Sequence, residues 1–382
     1  MLFTFVFLKN MSNNRYFPPE LLDKMLSKLD KTIKKYEIGR SVKGLPIIEL
    51  KIGNGKKNIF MWSQMHGNET STTRAIFKLI PWLIHKSQEE YLKTFSLYII
   101  PQLNPDGAKL YSRFNANNID LNRDAITLSE PESIVLNKAI NRISPYLALN
   151  LHGQRTIYGV GNSGKPATLS FLAPSADKNR SITPAREKAM KIIIDIKNGL
   201  SNELPSGIAR YNDVYNPDCV GDSFTSLGIP TILFEAGHYP DDYNRTIVTN
   251  YILKAFKLLL KSLAKKSNNN NSTDKYFKIP ENTENFTDLL ISNVDIVYDE
   301  KVFKKQQLAI QYHEKLDNNK INFVPIFKKF DKNLPYIGHR YLDLKGEKSK
   351  IFFRLNEEVK HSEYNRLFLS LIHISEPTRP ID

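Results

Sequence analysis

An alternation of apolar strand-like segments with amphipathic helix-like segments, running from residue 37 to residue 265, is the strongest constraint on the fold. The apolar spacing predicts strands at 46–52, 58–64, 95–101, 146–151, 168–173 and 230–234, and helices at 70–84, 184–200 and 244–265. Thr183 and Pro184 suit the N-cap and the first helical position of the second helix. Strands that are apolar along their length are typical of sheets covered on both faces. The pattern therefore predicts an α/β fold with helices on both faces of the sheet.

The composition changes after residue 265, where four consecutive asparagines stand in a segment without apolar residues. Such a segment is typical of a linker, which we place at 266–275. The lysine-rich stretch 276–370 contains short strand-like pieces at 294–298 and 321–326. We expect it to form a small C-terminal domain, either α+β or β-rich, whose role the sequence does not indicate. We expect residues 1–36 to form an N-terminal segment before the α/β domain at 37–265.

Two terminal features are set aside from the fold prediction. Residues 2–8 are apolar, but they lack the positive flank and the small-residue cleavage site of a signal peptide, and Met11 is a candidate start. Residues 371–382 (LIHISEPTRPID) follow no periodicity and resemble translated sequencing adaptor. We expect this tail to be non-native.

Composition excludes several classes of protein. Hydrophobic residues make up 41% of the chain and charged residues 25%, which is the balance of a globular protein rather than a disordered one. With Cys219 as the single cysteine, an intramolecular disulfide framework and an all-cysteine zinc site are impossible. The sequence has no apolar run approaching the ~20 residues that span a bilayer, so no membrane span is expected. One cysteine and no convincing signal sequence favour the cytoplasm over a periplasmic or secreted location.

The formal charge of +14 is scattered over the chain instead of forming a basic stripe with interleaved aromatic residues. Lysines such as Lys254, Lys257 and Lys261 share one face of the predicted helix at 244–265, as expected of a solvated face. We therefore expect no nucleic-acid partner. The oligomeric state cannot be inferred from the sequence.

The first candidate site is His66-Gly-Asn-Glu69, between a predicted strand and a predicted helix. Open α/β sheets bind their ligands in loops at the carboxyl ends of strands. An imidazole and a carboxylate three residues apart can approach one point, and zinc accepts this mixture of nitrogen and oxygen ligands. Taken alone, the pair is a weak signal and is more often part of a solvated loop.

Two further apolar strands end in a candidate functional side chain. His152 follows Tyr-Leu-Ala-Leu-Asn-Leu, and with His66 and Glu69 it completes a set of two histidines and one glutamate, as in catalytic zinc sites. Glu235 ends the strand Ile-Leu-Phe-Glu-Ala-Gly, where a carboxylate could act as a general base. Each residue alone could instead be a packed or surface side chain.

Asn104-Pro-Asp-Gly, followed by a stretch that contains Arg113, Asp120, Asn122 and Arg123, is the most specific signal. Arginine is suited to bidentate carboxylate recognition and to stabilising a developing oxyanion. The aspartates in the same stretch weaken a nucleic-acid interpretation.

Five motifs in this order resemble those of the zinc carboxypeptidase family, the carboxypeptidase A-like metallopeptidases: HGNE, NPDG, R-x-N-A-x-x-x-D-L-N-R, LHG and FEAG. The resemblance covers roughly residues 37–265. It implies a mixed, mostly parallel sheet and one zinc ion per chain, bound by His66, Glu69 and His152. It also implies metallocarboxypeptidase activity on peptides, or on small carboxylate-bearing amides, with Glu235 as the general base.

The resemblance also implies roles around the substrate. Arg113 would polarise the scissile carbonyl, and Asn122 with Arg123 would hold the terminal carboxylate. Asp120 matches the position that hydrogen-bonds a zinc-binding histidine.

A tyrosine that closes over the substrate is expected about twenty residues before the base. Tyr215 fits this spacing best, and Tyr211 is the second choice. Two positions depart from the family pattern: Asn118 stands where glycine is common, and Asp124 adds a negative charge near the expected pocket.

The main alternative is a zinc amidohydrolase similar to succinylglutamate desuccinylase and aspartoacylase, which share HGNE-like and DLNR-like motifs. The NPDG motif and the spacing of the arginine motif favour the peptidase. An inactive carboxypeptidase-like binding domain is disfavoured because every ligand and the base are present. The segment 159–166 matches G-x-G-x-x-G, but Pro166 stands where a P-loop needs Ser or Thr, so we exclude nucleotide binding.

Overall fold

The computed structural model describes residues 15–265, 272–344, 350–352 and 354–359. It divides into two compact units, the first ending at Thr283 and the second beginning at Glu284. The candidate start at Met11, the asparagine run 266–271 and the tail 371–382 lie outside the described residues.

The first unit is built on an eight-stranded sheet in the order β1-β2-β4-β3-β5-β9-β7-β8. Its central strands β4, β3, β5 and β9 are parallel neighbours, whereas β1, β2 and β7 pair antiparallel within the sheet. The strands are β1 (Lys34–Arg40), β2 (Pro46–Ile52), β3 (Lys57–Ser63), β4 (Phe95–Ile100), β5 (Leu147–Gly153), β7 (Leu169–Leu172), β8 (Ile208–Arg210) and β9 (Thr231–Ala236), with the short β6 (Tyr158–Val160) outside the sheet.

Helices cover both faces of this sheet. They are α1 (Pro19–Ser27), α2 (Ser71–Leu83), α3 (Glu89–Thr94), α4 (Pro105–Leu110), α5 (Pro131–Ile143), α6 (Pro184–Leu200), α7 (Val220–Ser226), α8 (Thr246–Ala264) and α9 (Asp274–Phe277). Leu149 and Leu151 of β5 join one core with residues of α2, α6 and α8, while Ala148 joins a second core with residues of α5 and α7. This alternation along β5 separates the two faces.

The predicted mixed, mostly parallel sheet with helices on both faces is confirmed. Helix α6 begins and ends where the apolar spacing predicts, and Thr183 caps it by accepting a hydrogen bond from the backbone N–H of Arg186 at 3.3 Å. Elements that the sequence analysis missed include β1, α5 and the short α7, whose lengths or polar faces give weak periodic signals.

Residues 272–283 pack with the first unit, although the sequence predicts the C-terminal domain from residue 276. Tyr276 is fully buried, and its hydroxyl oxygen accepts a hydrogen bond from the backbone N–H of Ala173 at 3.0 Å. Nearby, the N–H of Gly161 donates to the carbonyl of Glu281 at 2.8 Å. The boundary between the compact units therefore lies after Thr283.

The second unit is a β-rich sheet in the order β13-β12-β11-β14, with β15 also paired to β11. Its strands are β11 (Phe286–Tyr298), β12 (Lys301–Asp317), β13 (Lys320–Asp331), β14 (Ile337–Asp343) and β15 (Lys350–Phe352). The short β10 (Asn282–Glu284) lies outside this sheet and pairs with β6. Two-residue turns join β11 to β12 and β12 to β13. Asn318 and Asn319 in the second turn both have positive φ, the conformation that suits the twist of a hairpin. None of the helices in the described part of the chain combines the length and the apolar character of a membrane span.

Candidate metal centre and active site

Three neighbouring parallel strands bring the candidate residues to one edge of the sheet. β3 leads into the loop with His66 and Glu69, β5 carries His152 near its end, and β9 carries Glu235 near its end. His152 and Glu235 are direct partners in the register of β5 and β9. The carboxyl ends of these strands therefore gather side chains that are distant in sequence.

His66, Glu69 and His152 form a cluster whose ligand atoms all lie within 4.8 Å of one another. Nδ1 of His66 lies 2.8 Å from Oε1 of Glu69 and 3.1 Å from Nδ1 of His152. Nδ1 of His152 lies 3.0 Å from Oε2 of Glu69. Both imidazoles thus turn the same ring nitrogen toward the carboxylate.

The donor set fits a zinc ion. Ligand atoms about 2.0–2.1 Å from a tetrahedral zinc are separated by about 3.3 Å, close to the spacings of this cluster. On the far side of the His66 ring, Nε2 lies 2.9 Å from Oδ1 of Asp120. Hydrogen bonding at Nε2 leaves the Nδ1 lone pair directed at the cluster, which is the tautomer that a metal ligand requires.

Backbone contacts hold the loop with His66 and Glu69 in place. Asn104 caps α4 by accepting from the N–H of Gly107 at 2.8 Å, while its amide donates to the carbonyl of Met65 at 3.1 Å. A Cβ at Gly67 would stand 2.0 Å from the carbonyl carbon of Gly107. The HGNE and NPDG loops therefore pack backbone to backbone, which requires glycine at position 67.

Asp120 connects the candidate metal-ligand cluster of His66, Glu69 and His152 to Arg113. Its Oδ2 accepts hydrogen bonds from Nε and Nη2 of Arg113 at 3.1 and 2.9 Å. Nη1 of the same guanidinium lies 3.4 Å from Oε1 of Glu69. Arg113 is therefore fixed at the margin of the cluster.

Electrostatic interactions within the cluster shift several pKa values. Burial favours the neutral form of Glu69, but the histidines beside it outweigh burial and lower the pKa of this carboxyl. For His66, burial lowers the pKa, and the carboxylates of Glu69 and Asp120 reverse the shift and raise it. The pKa of His152 is lowered, chiefly by burial. The site thus favours an ionised Glu69 and a neutral His152, the forms that bind metals.

Glu235 lies beside the cluster with a proton affinity unlike that of Glu69. Glu235 as a whole is partly exposed. Its Oε2 atom, however, is buried and has no hydrogen-bond partner within the described part of the chain. Burial raises the pKa of Glu235 well above its ordinary value, and the nearby charge of Glu69 raises it further, against the opposing effect of Arg113. A carboxylate with raised pKa is a stronger base.

Asn122 and Arg123 occupy a short 3₁₀ helix, Leu121–Arg123, that Asp120 caps through the N–H of Asn122 at 2.9 Å. Oδ1 of Asn122 accepts from the N–H of Val220, the first residue of α7, at 3.1 Å. The Arg123 side chain is exposed, and its Nη1 donates to the carbonyl of Asn122 at 2.8 Å. Asp120 thus hydrogen-bonds both His66 of the candidate metal-ligand cluster and the start of the 3₁₀ helix.

The two candidate tyrosines lie in the loop between β8 and α7. The hydroxyl of Tyr211 lies 3.2 Å from that of Tyr158. Tyr215, four residues further along, is partly buried. The structure does not bring either residue into a described contact with the metal-ligand cluster.

The carboxylate of Asp124, the second departure from the family pattern, is engaged within its own loop. It accepts hydrogen bonds from the N–H groups of Ser129 and Glu130 at 2.9 and 3.0 Å. These hydrogen bonds stabilise the loop 124–130. Asn118 adopts a positive φ of 62°, which asparagine tolerates.

Asn150 was not singled out from the sequence, although it lies two residues before His152 and is 1% exposed. Neither its amide nitrogen nor its oxygen has a hydrogen-bond partner among the described residues. A polar residue inside the apolar run Leu-Ala-Leu-Asn-Leu is the signal that could have identified it.

Comparisons with known proteins find similarity to carboxypeptidases. A metallo-carboxypeptidase structure from Burkholderia cenocepacia is similar with a TM-score of 0.52 and 17% identity, covering 65% of this chain and 70% of that one. Carboxypeptidase SOL1 of Arabidopsis thaliana is 28% identical over 163 residues, covering 36% of this chain and 33% of the relative. Carboxypeptidase E of Caenorhabditis elegans is 30% identical over 114 residues, covering 23% and 24%.

These alignments span a third or less of the curated relatives, and the structural likeness at this identity concerns the fold alone. The family model described as zinc carboxypeptidase matches residues 19–223, more than half of the 382-residue chain. The match includes His66, Glu69, Asp120 and His152 and ends before Glu235. On this evidence, the chain belongs to the zinc carboxypeptidase family.

Proposed function

We propose that the protein is a zinc-dependent metallocarboxypeptidase that hydrolyses the C-terminal peptide bond of substrates with a free carboxylate. One observation carries this proposal: a carboxylate oxygen of Glu235, which has no hydrogen-bond partner among the described residues, lies next to a cluster of two histidines and a glutamate. Adjacent parallel strands hold His152 and Glu235 in direct register, so the base and a ligand have a fixed separation. Family membership supports the assignment of zinc.

His66, Glu69 and His152 would hold the ion. The chemistry that zinc supplies in such a site is Lewis acidity, which polarises a carbonyl group and makes a water molecule more acidic. The proposed contribution of the chain is to hold His66 and Glu69 in the loop after β3 and His152 near the end of β5.

Glu235 is the proposed general base. Its raised pKa suits a group that removes a proton from the attacking water and then delivers it to the leaving amine. Because the pKa of Glu69 is lowered and that of Glu235 is raised, the two carboxyl groups are suited to different roles.

Arg113 is proposed to stabilise negative charge on the scissile carbonyl oxygen. Asp120 holds its Nε and Nη2, so the orientation of the guanidinium is set before substrate binds. A preorganised cation loses little reorganisation energy when charge develops.

The proposed carboxylate-binding residues are Asn122 and Arg123. The exposed guanidinium of Arg123 is accessible to substrate, and the Asn122 side chain is ordered by the start of α7. Recognition of the terminal carboxylate by arginine would select the last peptide bond. Tyr215, or Tyr211 as the second choice, is proposed to close over the bound residue.

The test uses the purified full chain loaded with zinc. One zinc per chain is expected by elemental analysis, together with release of the last residue from peptides with a free C-terminus. Peptides amidated at the C-terminus should be cleaved much more slowly. N-acyl amino acids serve as the comparison substrates, because hydrolysis of these alone would replace the proposal with an amidohydrolase.

A further inference from the structure

His152, Glu235 and Ser170 form a row across three neighbouring strands of the sheet. Glu235 of β9 faces His152 of β5 in the parallel register and Ser170 of β7 in the antiparallel register. The side chains of register partners project to the same face of a sheet. The proposed base therefore lies between a candidate metal ligand on one strand and a fully buried serine on the other.

The side chain of Gln154 crosses β9 directly after Glu235. The Gln154 N–H donates to the carbonyl of Ala236 at 3.0 Å, which extends the pairing of β5 with β9 beyond the last residue of β5. Its Nε2 donates to the carbonyl of Ala167, just before β7, at 2.8 Å. A Cβ at Gly237 would lie 2.6 Å from this Nε2, so the crossing requires glycine there. Gln154 thus spans from β5 to the start of β7.

Asn282 joins Gln154 to Ser170. It lies after the asparagine-rich linker but within the first compact unit. Its Nδ2 donates to Oε1 of Gln154 at 2.8 Å, and its Oδ1 accepts from Oγ of Ser170 at 2.7 Å. We call this chain of hydrogen bonds, Gln154–Asn282–Ser170, the polar bracket. It connects the two strands, β5 and β7, that flank the strand with Glu235.

Separate contacts hold the segment 280–282 in place. The N–H of Arg210 donates to the carbonyl of Pro280 at 2.8 Å, and the Arg210 guanidinium pairs with the carboxylate of Glu281. Strand β10, which begins at Asn282, pairs with β6. Because these contacts do not involve Gln154 or Ser170, they give Asn282 a fixed position from which it can orient both.

Glu235 needs such indirect support. Its buried Oε2 has no hydrogen-bond partner among the described residues, so a direct hydrogen bond does not orient this atom. The position of the carboxylate relative to His152 then depends on how closely the ends of β5, β9 and β7 are held together. A misplacement of about 1 Å at a catalytic group can cost about 100-fold in rate.

We propose that Asn282 is a positioning residue for the general base: by closing the polar bracket, it fixes the Glu235 carboxylate relative to the candidate metal-ligand cluster. This inference rests on the proposed carboxypeptidase function and adds to it a residue beyond the range 19–223 that the family model matches. Asn282 acts through Glu235, which works in the chemical step. Its loss should therefore lower kcat and leave KM nearly unchanged.

The experiment measures kcat and KM of the zinc-loaded full chain on one peptide with a free C-terminus. For Asn282→Ala we expect kcat to fall about 10- to 100-fold, with KM changed less than about threefold and zinc content unchanged. Glu281→Gln is the matched control, because it weakens the pairing of the same segment with Arg210 and leaves the polar bracket intact. Its kcat should stay within about twofold of the wild-type value, since exposed ion pairs contribute little.

Combined variants separate positioning of the base from general damage to the site. In the Glu235→Gln background the base is absent, so adding Asn282→Ala should leave the residual turnover unchanged. Ser170→Ala removes the other end of the polar bracket and should also lower kcat. The double variant Ser170→Ala/Asn282→Ala should lose no more kcat than Asn282→Ala alone, because both changes break one chain of contacts.

An unchanged kcat in Asn282→Ala, an equal loss in Glu281→Gln, or a further loss in the Glu235→Gln background would overturn the inference and leave the carboxypeptidase function standing. If Asn282→Ala does not fold, Ser170→Ala carries the test, with a selective loss of kcat in support and an unchanged kcat against. If the wild type cleaves no peptide, the proposed function itself fails, and the inference fails with it.

Discussion

Asp120 hydrogen-bonds Nε2 of His66 at 2.9 Å, on the opposite side of the ring from the nitrogen that faces Glu69 and His152. The Asp120 carboxylate thereby sets the tautomer and the orientation of the His66 imidazole. Its second oxygen holds Arg113. One side chain thus orders a proposed ligand and a proposed substrate-binding group.

We predict that Asp120→Ala weakens zinc binding about 10- to 100-fold, the usual effect of losing such a hydrogen-bond partner. Competition with a chromophoric chelator measures this directly. Asp124→Ala is the matched control, since Asp124 is a neighbouring carboxylate that accepts from Ser129 and Glu130 instead. It should lower the free energy of unfolding by about 1 kcal/mol and leave zinc affinity unchanged. Equal losses of zinc affinity in both variants would show that Asp120 has no specific role.

Glu235→Gln should retain zinc and lose at least about 100-fold in kcat, because the amide cannot accept a proton. Metal content and steady-state kinetics on a peptide with a free C-terminus are measured on the same preparation. Full zinc occupancy with undiminished turnover would reject Glu235 as the base.

Arg123→Ala should raise KM for peptides with a free carboxylate by about 10- to 100-fold, as expected from the loss of one charge-assisted hydrogen bond. Residual cleavage of amidated peptides should hardly change. Arg40→Ala, a solvent-exposed arginine on β1 paired with Glu37, is the control for general effects of charge. A similar rise in KM for free and amidated peptides would contradict carboxylate recognition.

The stability of the first unit should depend on pH through Asp222. Burial raises the pKa of this carboxyl to about 7, against opposing effects of the Asn216 and Ser175 N–H groups and of Arg186 and Arg123. The unfolded chain releases this proton near the ordinary value, about pH 4. The contribution of Asp222 to stability is therefore complete below about pH 4 and declines as the pH rises through the folded-state value.

Asp222→Asn removes this ionisation. The difference in Tm between variant and wild type should shift in favour of the variant from pH 4 to pH 8, as followed by differential scanning calorimetry. Parallel curves over that range would show that Asp222 is not a buried acid with raised pKa.

Tyr276→Phe should lower the free energy of unfolding by about 1–3 kcal/mol, because it leaves the buried N–H of Ala173 without its acceptor. Phe277→Ala is the control: Phe277 is 42% exposed, and its change should stay within about 0.5 kcal/mol. Chemical denaturation of the full chain provides both values. A neutral Tyr276→Phe would argue against residues 272–283 as a stabilising part of the first unit.

Local signals made the site predictable in outline. His66, Glu69, His152 and Glu235 each follow a strongly apolar strand, so both the strand and its polar end residue can be identified from the sequence. Their mutual distances depend on strand order, which periodicity does not specify. The expectation that these four residues lie close together came from the resemblance to the family.

Other features depend on long-range packing and could not be predicted. Tyr276 follows a polar linker and looks like the start of a new domain, yet its burial against Ala173 is a contact across 103 residues. The hydrogen bond that Asp124 accepts from the N–H of Ser129 depends on the course of the loop, which the sequence does not specify. Few residues of the long strands β12 and β13 are fully buried, so their apolar pattern predicted only the fragment 321–326 instead of two full strands.

The contact between Gly67 and Gly107 limits how this site can change during evolution. A methyl group at position 67 would overlap the opposing backbone, so the HGNE and NPDG loops would have to separate. A chain that kept both histidines and the glutamate but lost this glycine would retain every ligand in its sequence and still misplace His66. For such a homologue, counting ligands would overestimate function, and the small residue between them would be the better guide.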